Sequence, residues 1–240
     1  MITPAWTAPK TVSALSTTRQ GGVSVAPFDS FNMGLHVGDD EQAVLANRAL
    51  LTNQLPNPAV WLNQTHSSEV VVIDERSELS ELRSADALYT RLVKQPLAIM
   101  TADCLPVLFC SASGNEVAAA HGGWRGLAQG ILANTVAHFK AKPSEIIVWL
   151  GPAIGPSQFE VGPEVKECFC ELNPEHQRAF KVKGNKYLAD IYLLARQQLT
   201  QLGVINVYGG EHCTVTDKSQ FFSYRRDGQT GRMASLIWRN

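Results

Sequence analysis

The chain has 240 residues, of which 45% are hydrophobic and 18% are charged, a composition that favours a sizeable buried core and excludes disorder. Its 21 basic and 22 acidic side chains give a formal net charge of -1, which excludes the basic surface of a general nucleic-acid binder. The N-terminus lacks the apolar segment of a secretory signal, and no stretch approaches the roughly 18 apolar residues of a membrane span. We therefore expect a cytoplasmic protein without a membrane or nucleic-acid partner. Its five cysteines are expected to be free thiols or metal ligands.

Apolar runs bounded by turn residues predict six strands, at 70–73, 97–100, 107–110, 117–120, 146–150 and 204–208. Patterns of helix-forming residues predict helices at 41–54, 127–140 and 186–202. Asp39 or Asp40 can cap the first helix, and Gly203 can end the third. A non-helical turn is expected at 151–160 and a tight hairpin at 223–232. Because several strands follow one another directly, we expect a mixed sheet in a single domain spanning residues 1–240.

Polar residues stand at three junctions between apolar runs and turns. His66 precedes the strand at 70–73, Cys104 divides two strands, and His121 follows the strand at 117–120. Alone, a loop histidine is more often a surface residue and a buried cysteine more often an inert hydrophobe. Together, two imidazoles and a thiolate suit zinc, and three ligands leave the open position of a catalytic site. The same set also resembles a blue-copper site, so the spacing leaves the metal open.

Two further features of this region have alternative interpretations. Arg125 follows a glycine-rich strand-to-helix turn and either completes an anion site or faces solvent. Trp124 beside it either stacks on a base or packs. Asp103 lies in an apolar run, where a carboxylate needs a partner. For the C-terminal cluster of Arg225, Arg226 and Arg232, the sequence favours a solvated basic face.

The motifs in their order resemble the YfiH family, also described as a laccase-domain or multicopper polyphenol oxidase family and as purine nucleoside phosphorylases. The C-terminal motifs are S-Y-R-R-D-G and T-G-R. The preceding motifs are N-M-G-L-H-V-G-D (32–39), Q-T-H (64–66), A-D-A (85–87), T-A-D-C-L-P-V (101–107), H-G-G-W-R-G (121–126) and L-G-P-A-I-G (150–155). One departure is Ser67, where glycine commonly follows the histidine of this family.

The resemblance implies a layered α/β/β/α sandwich with mixed sheets and a cleft at the sheet ends. It also implies one zinc ion held by His66, Cys104 and His121. An asparagine of the family's site matches Asn32, and an arginine of the following helix matches Arg48. We take Arg48 and Arg125 as candidates for binding phosphate.

The implied activity is phosphorolysis of adenosine, inosine, guanosine and methylthioadenosine by phosphate, which yields the base and ribose 1-phosphate. Deamination of adenosine accompanies it, with Asp103 as a candidate proton carrier, although the usual zinc-deaminase signature is absent. The catalytic residues are then His66, Cys104, His121 and Asp103. Three alternatives stay open: a copper-dependent polyphenol oxidase, a metal-free Cys104–His121 hydrolase and a protein that binds a partner around a structural zinc. The preferred nucleoside and the oligomeric state are left open by the sequence.

Overall fold

A computed structural model describes residues 1–78 and 82–240. In these two ranges the chain forms fourteen strands and six α-helices. The strands are β1 (Val12–Ser16), β2 (Leu62–Asn63), β3 (Val70–Ile73), β4 (Arg83–Ser84), β5 (Ala87–Thr90), β6 (Leu97–Thr101), β7 (Leu105–Ser111), β8 (Val117–Gly122), β9 (Ile146–Leu150), β10 (Glu160–Val161), β11 (Phe180–Lys183), β12 (Lys186–Ala189), β13 (Asn206–Gly209) and β14 (Met233–Arg239). The helices are α1 (Glu41–Thr52), α2 (Trp124–Ala128), α3 (Ile131–Ala137), α4 (Pro163–Leu172), α5 (Ile191–Gln201) and α6 (Tyr224–Asp227).

Two sheets form the centre of the molecule. The larger has the strand order β13-β9-β7-β8-β5-β3, and the second has the order β1-β14-β6. In the larger sheet, β3 runs parallel to β5 and β13 parallel to β9, whereas the other neighbours are antiparallel. Smaller sheets join β10, β12 and β11, and β2 with β4. The expectation of a mixed sheet is confirmed.

The alternation of side chains along the central strands produces the layers, because successive residues of a strand face opposite sides of its sheet. On β7, Val107 and Phe109 pack with buried residues of α3, α4 and α5. Leu108 and Cys110 point the other way and pack with β6 and β14. The far face of the second sheet packs against Leu51 of α1. The order of layers is therefore α/β/β/α, which confirms the predicted fold class.

All six predicted strands coincide with or overlap strands of the structure, the last of them with a shift to β13. The first predicted helix is α1, and the side chain of Asp40 caps it by accepting a hydrogen bond from the backbone N–H of Gln42. No helix within residues 1–78 and 82–240 is long and apolar enough to cross a lipid bilayer.

The second predicted helix, 127–140, is wrong in its extent. Gly130 adopts a left-handed conformation with φ of 90° and separates α2 from α3. This conformation suits glycine because it has no Cβ. The third predicted helix, 186–202, is wrong in its first turn, since residues 186–189 form β12. The side chain of Asp190 then caps α5.

The predicted hairpin at 223–232 is also wrong. Ser223 accepts a hydrogen bond from the backbone N–H of Arg226 and caps the short helix α6. Gly228, with φ of 68°, ends this helix. The chain then enters β14, which pairs with β1 and β6 rather than with a neighbouring strand in sequence. The Asp-Gly pair thus marks the end of a helix.

Candidate metal centre

The structure brings His66, Cys104 and His121 together at one end of neighbouring strands of the larger sheet. Cys104 immediately precedes β7 and His121 lies near the end of β8. Because these strands are antiparallel, with Pro106 opposite His121, the two side chains become neighbours. His66 lies just before β3, whose first residue is level with the start of β5 and therefore with the end of β8. The expected convergence of three sheet ends is present.

The geometry of this group fits a metal ion. One ligand atom from each of the three residues lies within 4.8 Å of the others, and Cys104 Sγ is 3.8 Å from His66 Nε2. Gly123 lies against all three: a Cβ at this position would be 2.9 Å from His66 Cδ2 and 3.4 Å from Cys104 Sγ. A larger residue would thus crowd the ligands. Two imidazoles and a thiolate fit zinc and also fit copper.

Asp86, to which the sequence analysis assigned no role, orients two of the three candidate ligands. Its buried carboxylate accepts a hydrogen bond from His121 Nδ1 at 2.8 Å. It also accepts bonds from the backbone N–H groups of His66 and Ser67 at 3.0 and 2.7 Å. With Nδ1 occupied, His121 has Nε2 left for a metal, which is the usual carboxylate–histidine arrangement of metal sites.

The ionisation of these groups is coupled. Although burial acts to raise it, hydrogen bonds from His121 and Ser67 hold the pKa of Asp86 well below its usual range. Burial likewise opposes ionisation of Cys104, but the adjacent His121 and His66 lower the pKa of its thiol. Against the opposing effect of burial, Cys104 and Asp86 raise the pKa of His121. The group therefore favours the thiolate that a metal requires.

Asp103 lies beside Cys104 in a left-handed conformation, with φ of 94°. Its carboxylate accepts hydrogen bonds from the hydroxyl of Thr214 at 2.5 Å and from the backbone N–H of Arg225 at 2.7 Å. The partner expected for a carboxylate in an apolar run is therefore present. These bonds join the loop that carries Cys104 to two segments more than 100 residues further along the chain.

We call His66, Cys104 and His121 the triad. Two cavities adjoin it, and Asn32 and Arg48 are not among the described residues that line them. Asn32 is fully buried, and its side-chain oxygen accepts hydrogen bonds from the backbone N–H groups of Gly34 and Arg232. The guanidinium of Arg48 donates to the carbonyl of Met33 at 2.8 Å and lies 4.1 Å from the ring of Trp61. Burial lowers the pKa of Arg48 to about 10.

Two of the three C-terminal arginines, Arg226 and Arg232, do not belong to the solvated face that the sequence favours. Arg226 donates to the carbonyls of Thr214 and Phe221 and so ties loops together. Arg232 is half-buried and lines a cavity next to the triad. The interpretation as a solvated face is wrong for Arg226 and Arg232, because backbone carbonyls and the cavity surround their side chains, whereas Arg225 is exposed. Arg125, in contrast, is exposed and stacks on Trp124, with its guanidinium carbon 4.4 Å from the ring centre.

Two cavities adjoin the triad and share His66 and Cys104 in their walls. The first, of about 370 Å³, we call the polar cavity; its other lining residues include His36, Gln64, Thr101, Tyr224 and Arg232. The second, of about 270 Å³, we call the aromatic cavity; it is lined by Asp103, Trp124, Arg125, Ile154, Phe159, Ile191 and Arg225 and, like the polar cavity, by Ala102 and Tyr224. The candidate metal centre thus lies where two spaces of different chemistry meet.

Comparison with known proteins identifies the class to which this fold and site belong. Residues 13–240 match the family described as multi-copper polyphenol oxidoreductase laccase. The "Purine nucleoside phosphorylase" of Haemophilus influenzae is 51% identical over 242 residues, which cover 99% of this chain and 98% of that protein. The "Purine nucleoside phosphorylase YfiH" of Escherichia coli K12 is 51% identical over 240 residues, with the same coverage.

Solved structures agree with this result. A crystal structure of a Neisseria meningitidis protein superimposes with a TM-score of 0.96 at 51% identity and covers 100% of this chain and 98% of that one. That of YlmD from Geobacillus stearothermophilus has a TM-score of 0.89 at 36% identity, with coverage of 96% and 93%. The chain belongs to the YfiH family, and the resemblance noted in the sequence is confirmed.

Proposed function

We propose that the protein is a zinc-dependent purine nucleoside phosphorylase that accepts adenosine, inosine, guanosine and methylthioadenosine. The observation that carries the proposal is the His66, Cys104 and His121 group between two cavities, in a chain about half identical to proteins named purine nucleoside phosphorylase. Bound zinc would supply a Lewis acid beside the reacting groups.

The reaction places particular demands on the residues of the chain. A phosphate oxygen forms a bond to ribose C1′ while the bond from C1′ to the purine nitrogen breaks. The purine leaves with the bonding electron pair and receives the proton of the monohydrogen phosphate. Catalysis then depends on positioning two substrates and stabilising charge. Asp86 holds His121 and the loop of His66 in place. Arg125, one of the two arginines expected to bind phosphate, lies in the wall of the aromatic cavity, and we propose that it contacts the nucleoside instead. We propose that Asn32 and Arg48 position other parts of the chain and do not bind substrate, because their side chains form hydrogen bonds with the backbone of Arg232 and Met33.

A direct assay tests the main activity. The zinc-loaded protein, incubated with inosine and phosphate, is expected to release hypoxanthine and ribose 1-phosphate in equal amounts. Omitting phosphate should stop the reaction, and Cys104→Ser should abolish it while the thermal transition of the metal-free protein is retained. Absence of phosphate-dependent cleavage in zinc-loaded protein would contradict the proposal.

We further propose adenosine deamination at the same group, with Asp103 as the proton carrier because it is the carboxylate of the aromatic cavity. In this reaction the oxygen of water forms a bond to C6 of the base, and the amino group leaves as ammonia. Adenosine without phosphate should then yield inosine and ammonia in equal amounts, and Asp103→Asn should slow this conversion more than it slows phosphorolysis. If adenine and ribose 1-phosphate are the only products under all conditions, the deaminase part of the proposal is wrong.

One observation favours a second candidate, a metal-free thiol hydrolase: His121 and His66 lower the pKa of Cys104, as in cysteine nucleophiles. Anomalous scattering at the zinc edge separates the candidates, because a coordinated thiolate is not free to attack.

A copper-dependent polyphenol oxidase has less support. In the described part of the chain there is one three-ligand group, which provides for one metal ion. Oxygen uptake by copper-loaded protein with a phenol tests it.

We also propose a cytoplasmic location. All five cysteines are free, which suits a reducing compartment. Fractionation of cells that produce the protein tests this assignment.

A further inference from the structure

We propose that phosphate and purine occupy different cavities beside the metal-ligand group: Arg232 binds phosphate in the polar cavity, and the purine lies in the aromatic cavity. This inference rests on the proposed phosphorolysis, which requires both substrates at once. It names an anion ligand, Arg232, for which the sequence favoured a solvated surface.

The polar cavity has the charge that a phosphate dianion requires. Among the described residues that line it there is no carboxylate, while Arg232 and His36 bring nitrogen donors and Tyr224 a hydroxyl. The pKa of His36 is lowered by partial burial and by the positive charges of Arg232 and Arg48. Arg232 is thus the cationic side chain of this wall, and the uncharged imidazole of His36 and the hydroxyl of Tyr224 can add hydrogen bonds to an anion that Arg232 binds.

The side chain of Arg232 is positioned to use its remaining donors. Its Nη1 donates to the carbonyls of Thr230 and Gly231 at 2.9 and 3.0 Å. Within residues 1–78 and 82–240, Nε and Nη2 make no hydrogen bond. One nitrogen therefore anchors the guanidinium, and two others are available for the paired hydrogen bonds that arginine forms with phosphate oxygens.

The loop of the N-x-G-x-H motif holds Arg232 in this position. Asn32 Oδ1 accepts a hydrogen bond from the backbone N–H of Arg232 at 2.8 Å, and the N–H of Met33 donates to its carbonyl at 3.0 Å. Gly34 leaves room for the side chain, because a Cβ there would lie 2.9 Å from Arg232 Cγ. The asparagine and glycine of the motif are thus explained as positioning residues for an arginine 200 positions away in the sequence.

The aromatic cavity has the apolar ring surfaces that suit a purine. The rings of Trp124 and Phe159 and the side chain of Ile154 offer apolar surface against which a base can stack. Asp103 adds a carboxylate that can accept a hydrogen bond from a purine N–H, and the wall also contains Arg125 and Arg225. Because both cavities share His66 and Cys104, the ribose C1′ that links the substrates belongs beside the triad.

Steady-state kinetics with two variants test this division. Arg232→Gln should raise KM for phosphate about tenfold or more, as loss of a charge-assisted hydrogen bond predicts, with KM for inosine within about twofold. Trp124→Leu should raise KM for inosine and leave KM for phosphate unchanged. Arg178→Gln, which removes an exposed arginine paired with Glu175, is the matched control and should change neither constant.

Calorimetric titration with inorganic phosphate distinguishes failure of this inference from failure of the proposed function. Phosphate bound by the wild-type protein and weakened by Arg232→Gln supports the anion site even if no nucleoside is cleaved. Ribose 1-phosphate formation with an unchanged KM for phosphate in Arg232→Gln overturns the inference while the phosphorylase stands. Should Arg232→Gln fail to fold, Gly34→Ala displaces the side chain and keeps the charge, and it should weaken phosphate binding in the same titration; unchanged binding would overturn the inference.

Discussion

Asp86 joins candidate metal ligands that come from different parts of the larger sheet. It accepts hydrogen bonds from the ring of His121 on β8 and from the backbone of the loop around His66. Ser67 adds its hydroxyl, 2.8 Å from Asp86 Oδ2. Ser67, where the resemblance leads us to expect glycine, therefore supplies one more hydrogen bond to the same carboxylate. One buried side chain thus sets both the orientation of a ligand and the path of a loop.

Replacing this carboxylate should weaken metal binding more than it changes the fold. Asp86→Asn keeps the shape but removes the charge that orients His121, and groups in this position typically contribute 10- to 100-fold to metal affinity. We expect a loss of about that size in zinc affinity, measured by competition with a chelator. Glu69→Gln, an exposed carboxylate near the same loop, is the control. Equal affinities for both variants would contradict this role of Asp86.

The low pKa of Asp86 also predicts how stability depends on pH. Its folded pKa lies below the unfolded value of about 4, so its contribution to stability is present above pH 4 and is lost as the pH falls below it. The slope from this one group is at most about 1.4 kcal/mol per pH unit. Urea unfolding of the metal-free protein between pH 3 and 6 should show this slope in the wild type. A similar acid slope in Asp86→Asn would assign the effect to other groups.

At the scale of elements, the break between α2 and α3 depends on the backbone of Gly130. A Cβ at this position would meet no atom within 4 Å, so only its left-handed φ of 90° opposes a side chain. Gly130→Ala should lower the free energy of unfolding by about 1–2 kcal/mol. Gly130→Asn should cost less, because asparagine tolerates this conformation better. Urea unfolding measures both, and equal costs would show that the strain is not conformational.

The sequence predicted strands better than helices, and the reason is physical. The central strands are buried on both faces, so they appear as continuous apolar runs between turns. Strand β11 is short and largely exposed, β12 is short and only partly buried, and neither carries such a run. The pattern at 186–202 therefore merged β12 with the helix that follows. The helix boundaries at Gly130 and Asp190 depend on the left-handed conformation of one residue and on one capping side chain, and a periodic pattern over many residues does not contain either.

The candidate site was predictable where polar residues interrupt apolar runs and not elsewhere. His66, Cys104 and His121 stand at such junctions, and the structure brings them together. The role of Asp86 arises only when β5 pairs with β8, and that of Arg232 only when it meets Asn32 across 200 positions. A local pattern contains neither pairing.

At the scale of the whole molecule, the layers place the hydrophobic cores that stabilise the fold away from the candidate metal site. The large cores lie between the sheets and under the helices, whereas the triad lies where the strands end. We therefore expect metal-free protein to stay folded. Zinc at 100 times its dissociation constant should raise the melting temperature by about 5–10 °C, measured by calorimetry with Cys104→Ser as control. Unfolding on chelation, seen as loss of near-UV circular dichroism, would instead indicate a structural zinc.

The position of β14 between β1 and β6 has a consequence for the order in which the site is assembled. The hydroxyls of Ser16 and Ser235 meet at 2.9 Å across 219 positions of sequence, and contacts so distant along the chain form slowly during folding. Arg232 immediately precedes β14, while the three candidate metal ligands all come from residues 66–121. A folding chain is therefore expected to acquire the capacity to bind zinc first and the capacity to bind phosphate only when the second sheet closes.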